Sequence, residues 1–163
     1  MIAAFDVHYA ADRASAAAVL FGDYHDVAPA VQFKQILTGV ADYIPGKFFQ
    51  RELPGILQLL SLIHHPPDEI IIDGYVRMGN RPGLGQHLFA ALDQRIPVVG
   101  VAKSRFAGAG GSQVLRGKST RPLYVTTVGV DLSAAAENIR RMHGRHRIPT
   151  LLKWVDLLAR GLK

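Results

Sequence analysis

The run Glu69-Ile70-Ile71-Ile72-Asp73-Gly74 constrains this chain more than any other segment. Three consecutive β-branched residues bounded by turn signals are apolar on both faces, so they read as a fully buried strand. Pro97-Val98-Val99-Gly100-Val101 has the same character. A first strand over residues 1–8 meets Asp6. Residues 14–21 and about 27–34 read as two further strands, joined by a turn at Gly22–Asp23. Helical spacing of Leu57 with Leu60 and of Leu59 with Ile63 predicts a helix from about Pro54 to Ile63, with Pro54 in the first turn, where its missing N–H is not needed. Further helices are expected over 84–93, 132–142 and 150–160, and short strands near 113–116 and 123–128. The glycine-rich stretch 104–112 is expected to be mobile. Strands first, then strands alternating with helices, imply an α/β or α+β domain around a mixed sheet.

With 163 residues the simplest organisation is one domain over 1–163. The absence of cysteine excludes a disulfide framework and a thiolate zinc site. No apolar run reaches the roughly 18 residues of a membrane span, so no membrane association is expected. The N-terminus lacks the basic start of a signal peptide, and a cytoplasmic location is expected. The formal net charge of +6 favours polyanionic partners, nucleic acid foremost. Basic residues gather in two stretches. One holds Lys103, Arg105, Arg116, Lys118 and Arg121; the other holds Arg140, Arg141, Arg145 and Arg147 beside His143 and His146.

Two acids, Asp6 and Asp73, end apolar strands, and sites in such sheets gather at strand ends. A carboxylate there is costly unless paired or bound to a cation, and Mg²⁺ and Mn²⁺ prefer carboxylate oxygens. Two such aspartates on adjacent strands could share one ion. Each could equally open a turn, as Asp-Gly often does. Glu52 beside a helix start suits the helix dipole. Lys153, Asp156 and Arg160 share a helical stripe, which reads as a solvated face. No Gly-x-Ser-x-Gly elbow is present, and without cysteine a thiol nucleophile is excluded.

Several segments, in order, resemble the endonuclease V family over nearly the whole chain. Phe5-Asp6-Val7 resembles its first aspartate strand. Tyr43-Ile44-Pro45-Gly46 followed by Phe49-Gln50-Arg51-Glu52-Leu53-Pro54 resembles its YIPG and FRELP segments. Ile72-Asp73-Gly74 resembles its second aspartate strand, and Gly100-Val101-Ala102-Lys103-Ser104 its GVAKS element. Tyr124-Val125 and Arg147-Ile148-Pro149-Thr150 resemble its late strand and the approach to its last helix. The YIPG and RELP pieces at this spacing, with DG and GVAKS following, carry the specificity.

The resemblance implies an RNase H-like fold, a mixed β-sheet flanked by helices. It implies a metal-dependent endonuclease acting on DNA or RNA that contains a deaminated purine, deoxyinosine or inosine. Cleavage is expected at the second phosphodiester on the 3′ side, leaving a 3′-hydroxyl and a 5′-phosphate. Asp6, Glu52 and Asp73 are the implied ligands of Mg²⁺, with Mn²⁺ able to substitute, and Asp156 matches a late position of the same metal site and is expected to join them. Lys103 matches a lysine near the scissile phosphate. Tyr43, Ile44, Pro45 and Gly46 match a wedge that separates strands; a rigid apolar wedge can fill the gap left by an unstacked base. Ser104, Asn80 and Arg81 are expected to meet nucleic acid. Two departures lie nearby: Tyr75 stands where the family usually has histidine, and Gly79-Asn80-Arg81-Pro82 replaces a His-Pro-Arg segment. A nuclease for another structured substrate and a non-catalytic nucleic-acid-binding module remain the alternatives.

Overall fold

The computed structural model describes residues 1–10, 13–39, 42, 45, 47 and 49–163. Strands β1 (Ile2–Ala10), β2 (Arg13–Phe21) and β3 (Val31–Thr38) form an antiparallel meander. Helix α1 (Phe49–Leu60) follows, and β4 (Glu69–Asp73) returns parallel to β1. A two-stranded hairpin, β5 (Arg77–Met78) with β6 (Arg81–Pro82), leads into α2 (Leu84–Ala91). Strand β7 (Val98–Ala102) lies parallel to β4. Strands β8 (Ser112–Val114) and β9 (Leu123–Val128) extend the sheet antiparallel, and α3 (Leu132–Arg141) and α4 (Thr150–Ala159) complete the fold.

The main sheet runs β3-β2-β1-β4-β7-β9-β8. Its centre is β4, as a strand apolar on both faces requires. Ile70 and Ile72 pack with Ile56 and Leu59 of α1 and Leu88 of α2. Ile71 packs to the other side with Ile139 of α3 and Leu151 and Val155 of α4. Burying each such isoleucine contributes about 1.5–3 kcal/mol relative to leaving it exposed. The alternation continues in β1, where Ala3, Phe5 and Val7 face α1 and α2 while Ala4 faces α3 and α4. The result is a three-layer α/β/α domain with two cores.

Several boundaries shift by a few residues from the sequence expectation, and two of the shifts have a clear physical cause. Strand β3 begins at Val31, not near residue 27, because the chain first makes a longer turn. The Asp26 carboxylate accepts from the backbone N–H of Gly22 and of Asp23, and the Ala30 N–H then returns to the Leu20 carbonyl. Helix α1 starts at Phe49, so Pro54 lies inside it rather than at its start. A proline this close to the first turn removes one intrahelical hydrogen bond without ending the helix. Glu52 is therefore a residue of the helix, not one that precedes it.

A candidate metal-dependent nuclease site

Register brings the acids together. Phe5 of β1 pairs with Ile72 of β4, so Asp6 and Asp73 follow side by side at the ends of adjacent parallel strands. Asp73 in turn pairs with Val101 of β7, and Lys103 follows two residues later. Glu52 arrives from α1, 5% exposed, and Asp156 from α4, 7% exposed. Asp6, Glu52, Asp73, Lys103 and Asp156 line one open cleft of about 950 Å³, along with Tyr75, Arg81, Ser104, Phe106 and Arg160. Of the YIPG segment, Tyr43, Ile44 and Gly46 lie outside the described residues; Pro45 is exposed and lines the same cleft. Asn80 is exposed in the β5–β6 turn, where its carbonyl accepts from Arg77 at 3.1 Å, and is not a cleft-lining residue.

One glycine makes this geometry possible. A Cβ on Gly100 would stand 2.5 Å from the Gly74 carbonyl oxygen and 2.9 Å from the Val76 nitrogen. The chain leaving Asp73 crosses directly over β7 at this point, where the buried Thr126 hydroxyl accepts from the Val76 N–H at 2.9 Å. Beyond it, the Tyr75 hydroxyl donates to the Ser104 carbonyl at 2.7 Å and accepts from the Phe106 N–H at 3.1 Å. Tyr75 thus ties the segment after Lys103 to the segment after Asp73.

The electrostatics are those of crowded acids. Burial, then the Asp73 carboxylate, push the Asp6 pKa up to about 6. Burial, then Asp6 and Asp73, hold Glu52 well above the usual carboxylate range. The Lys103 ammonium stands 2.6 Å from Asp73 Oδ2. Asp156 differs: although burial opposes its charge, Lys153 Nζ and Arg160 Nε, each at 2.8 Å, hold its pKa below the ordinary value. The Lys153–Asp156–Arg160 stripe is therefore ion-paired as its spacing suggests, but its acid is buried rather than solvated. Arg160 reaches the cleft, a position that sequence reasoning missed. Its only signal was the four-residue spacing from Asp156.

A divalent cation fits this donor set chemically. Asp6, Glu52 and Asp73 crowd together beside the Lys103 ammonium, and their mutual repulsion adds to burial in raising the proton affinity of Asp6 and Glu52. Among the described residues, no group of three or more His, Asp or Glu side chains forms a ready-made metal shell as the side chains stand. Lys103 pairs with Asp73 instead, so these carboxylates would have to turn to share an ion.

A mixed sheet whose adjacent central strands carry carboxylates into one cleft, with helices on both faces, is the RNase H-like architecture of nucleic-acid-cleaving hydrolases. The Endonuclease V family model matches residues 1–114. An endonuclease V of Xanthomonas oryzae pv. oryzae is 30% identical, the match covering 98% of this chain and 75% of that protein. The crystal structure of endonuclease V from Streptomyces avermitilis is 28% identical, with a TM-score of 0.79, over 98% of this chain and 79% of that one. That of Ciona intestinalis endonuclease V, in complex with a 24mer DNA containing an inosine followed by a ribo-adenosine, shares the fold at 19% identity and a TM-score of 0.82, over 98% and 84% of the two chains. The chain belongs to the endonuclease V family, hydrolases whose endonuclease activity depends on metal. No helix among the described residues is long and apolar enough to cross a membrane.

Proposed function

We propose that this chain hydrolyses a phosphodiester on the 3′ side of deoxyinosine or inosine in DNA or RNA, with Asp6, Glu52 and Asp73 as ligands of Mg²⁺ or Mn²⁺. The observation that carries this reading is the convergence of three carboxylates and Lys103 from four separate segments on one cleft. The inosine-containing DNA held by the Ciona intestinalis relative supports the base preference.

Bound there, a hard divalent cation supplies an activated water and neutralises charge on the phosphate and the leaving oxygen. Asp6 and Asp73 contribute ligand oxygens from adjacent strands, and Glu52 completes the set from the layer of α1. Asp156 acts on the same site through its field on Asp6 and fixes Arg160 at the cleft. The Lys103 ammonium is the chain's own point charge for a non-bridging phosphate oxygen. Ser104 and Arg81 engage the nucleic acid beside it, Asn80 meets it from the β5–β6 turn outside the cleft, and Tyr43, Ile44, Pro45 and Gly46 act as the wedge. The test is cleavage of inosine-containing DNA and RNA against matched unmodified strands, with Mg²⁺, Mn²⁺ or EDTA. Cleavage of the inosine strands alone, abolished by EDTA, is expected; equal cleavage of all strands overturns the base preference.

A second reading keeps the nuclease and changes its substrate. It is favoured by Tyr75, whose hydroxyl is committed to Ser104 and Phe106 at a place where the family usually has histidine. On this reading a branched or flapped strand without inosine is the better substrate in the same assay.

A further inference from the structure

Arg116, between β8 and β9, is 5% exposed, and no carboxylate among the described residues pairs with it. Its guanidinium is committed instead to five backbone carbonyls. Nε donates to Arg140 at 3.2 Å, Nη1 to His146 at 2.7 Å and Arg147 at 3.3 Å, and Nη2 to Met142 at 2.5 Å and Gly144 at 3.0 Å. All five belong to the end of α3 and the loop leading to α4.

The consequence is one of orientation. A carbonyl oxygen is the negative end of the peptide dipole, and Arg116 turns five of them inward. The outer side of this loop therefore presents side chains, among them the exposed Arg141, His143, Arg145 and His146. No Asp or Glu occurs between Glu137 and Asp156; at the margin Glu137 is engaged by Arg140 at 2.6 Å and lies 4.0 Å from Arg141, whose charge also reaches Asp23 after β2.

The two basic stretches of the sequence meet here. Gly117 has φ +59°, and a Cβ on it would stand 2.2 Å from the Arg145 carbonyl oxygen. The β8–β9 turn thus touches the loop backbone to backbone, which brings the exposed Lys118 and Arg121 to the same surface. No Asp or Glu occurs from Gln94 to Val130 either. The surface also runs into the cleft. Arg147 Nη2 donates to the Lys103 carbonyl and, at 2.8 Å, to that of Pro122, while Ile148 and Pro149 line a small cavity that Asp6 and Asp73 share.

We propose that this predominantly basic surface, made by Lys118, Arg121, Arg141 and Arg145, is a second docking site for the phosphodiester backbone, holding the part of the substrate that extends beyond the cleft. It deepens the nuclease reading above and rests on it only for the identity of the strand. Phosphate contacts of this kind are read without regard to sequence and release counterions, so their signature is salt dependence.

The experiment measures binding of the full chain, in Ca²⁺, to unmodified duplexes of about one and about three helical turns across a range of salt. The variant is Arg141→Glu with Arg145→Glu, both exposed; Arg95→Glu, exposed and ion-paired with Asp93, is the charge control. For the long duplex the double variant is expected to weaken binding about tenfold or more, and to reduce the slope of log K against log salt by about 2. The short duplex should lose less, and the control should follow wild type. An unchanged slope, an equal loss in the control, or a loss confined to anionic lipid vesicles overturns the proposal. Wild-type cleavage of an inosine strand is measured in parallel. No inosine cleavage together with the expected slope change refutes the proposed function and supports this surface; cleavage with an unchanged slope does the reverse.

Discussion

Lys103 Nζ stands 2.6 Å from Asp73 Oδ2, joining the ends of two adjacent parallel strands. Burial works against the Lys103 charge, but Asp73, Asp6 and Asp156 together outweigh it and raise the lysine pKa. The proposed cation ligand and the proposed phosphate binder are thus paired with one another in this structure. Asp73→Asn removes the charge at nearly constant shape. Cleavage in Mg²⁺ is expected to fall about 10³-fold or more, since each lost contribution of a metal is worth several kcal/mol. Binding in Ca²⁺ should hold or tighten, because repulsion toward a polyanion falls. Lys103→Ala should slow cleavage about 10²-fold and leave metal affinity intact. A folded Asp73→Asn protein that cleaves like wild type would remove Asp73 from the mechanism.

The raised proton affinity of Asp6 makes a prediction about stability in EDTA. Folded Asp6 titrates at about 6, against an ordinary value of 3.8. Between those values the folded chain binds more protons than the unfolded chain, so stability falls as pH rises. The loss from Asp6 is at most about 3 kcal/mol, and Glu52, shifted in the same direction, adds to it. The melting temperature of Asp6→Asn minus that of wild type should therefore grow from pH 4 to pH 6. Mn²⁺ at pH 7 should close the gap by stabilising wild type. A difference that stays flat across this range would contradict the burial of charge described for the cleft.

Tyr75→Phe removes one hydroxyl that serves two backbone groups, on Ser104 and Phe106. Both groups are near solvent, so the expected cost is about 1 kcal/mol, a drop of about 2–4 °C in Tm for a chain of this size. Because the brace sets the loop after Lys103, KM should rise more than kcat falls. Steady-state kinetics on a common substrate read this split, and a pure kcat effect would place Tyr75 in the chemistry instead.

Gly100→Ala tests the crossing of the Asp73–Val76 segment over β7. The added methyl meets backbone atoms of Gly74 and Val76, which cannot swing away as a side chain can. A loss of about 1–3 kcal/mol is expected, seen as a lower urea midpoint at an unchanged m-value. Cleavage per folded molecule should fall as well, since the displaced backbone carries Asp73. An unchanged midpoint would mean that the crossing is loosely packed.

The central strands were legible because β4 and β7 are apolar on both faces, a pattern only a covered strand tolerates. Strand β3 begins four residues later than its pattern suggests, because Val27-Ala28-Pro29-Ala30 is apolar enough to imitate a strand while Asp26 holds it in a turn. The start of α1 was missed because Pro54 looks like a first-turn residue and Phe49-Gln50-Arg51 carries no cap signal. The β5–β6 hairpin has strands of two residues, too short for any period to register. Within the cleft, the two strand-end aspartates can be read from pattern, whereas Glu52 came from the family resemblance, since a helix's periodicity does not say which end of a sheet it approaches. Arg116 looked like one more surface cation. Its partners are carbonyl oxygens, which every residue has, so no sequence pattern marks them.

The pairing of β1 with β4 also has a consequence during synthesis. Strands β1 to β3 leave the ribosome together and can form their meander at once, but the second edge of β1 stays open until β4 emerges after α1. That edge belongs to a strand whose core residues include Ala3, Phe5 and Val7, the kind of surface that recruits other chains. The nascent chain is therefore most exposed to aggregation in the interval before Ile70–Ile72 arrives, and a pause in translation there should raise its demand for chaperones.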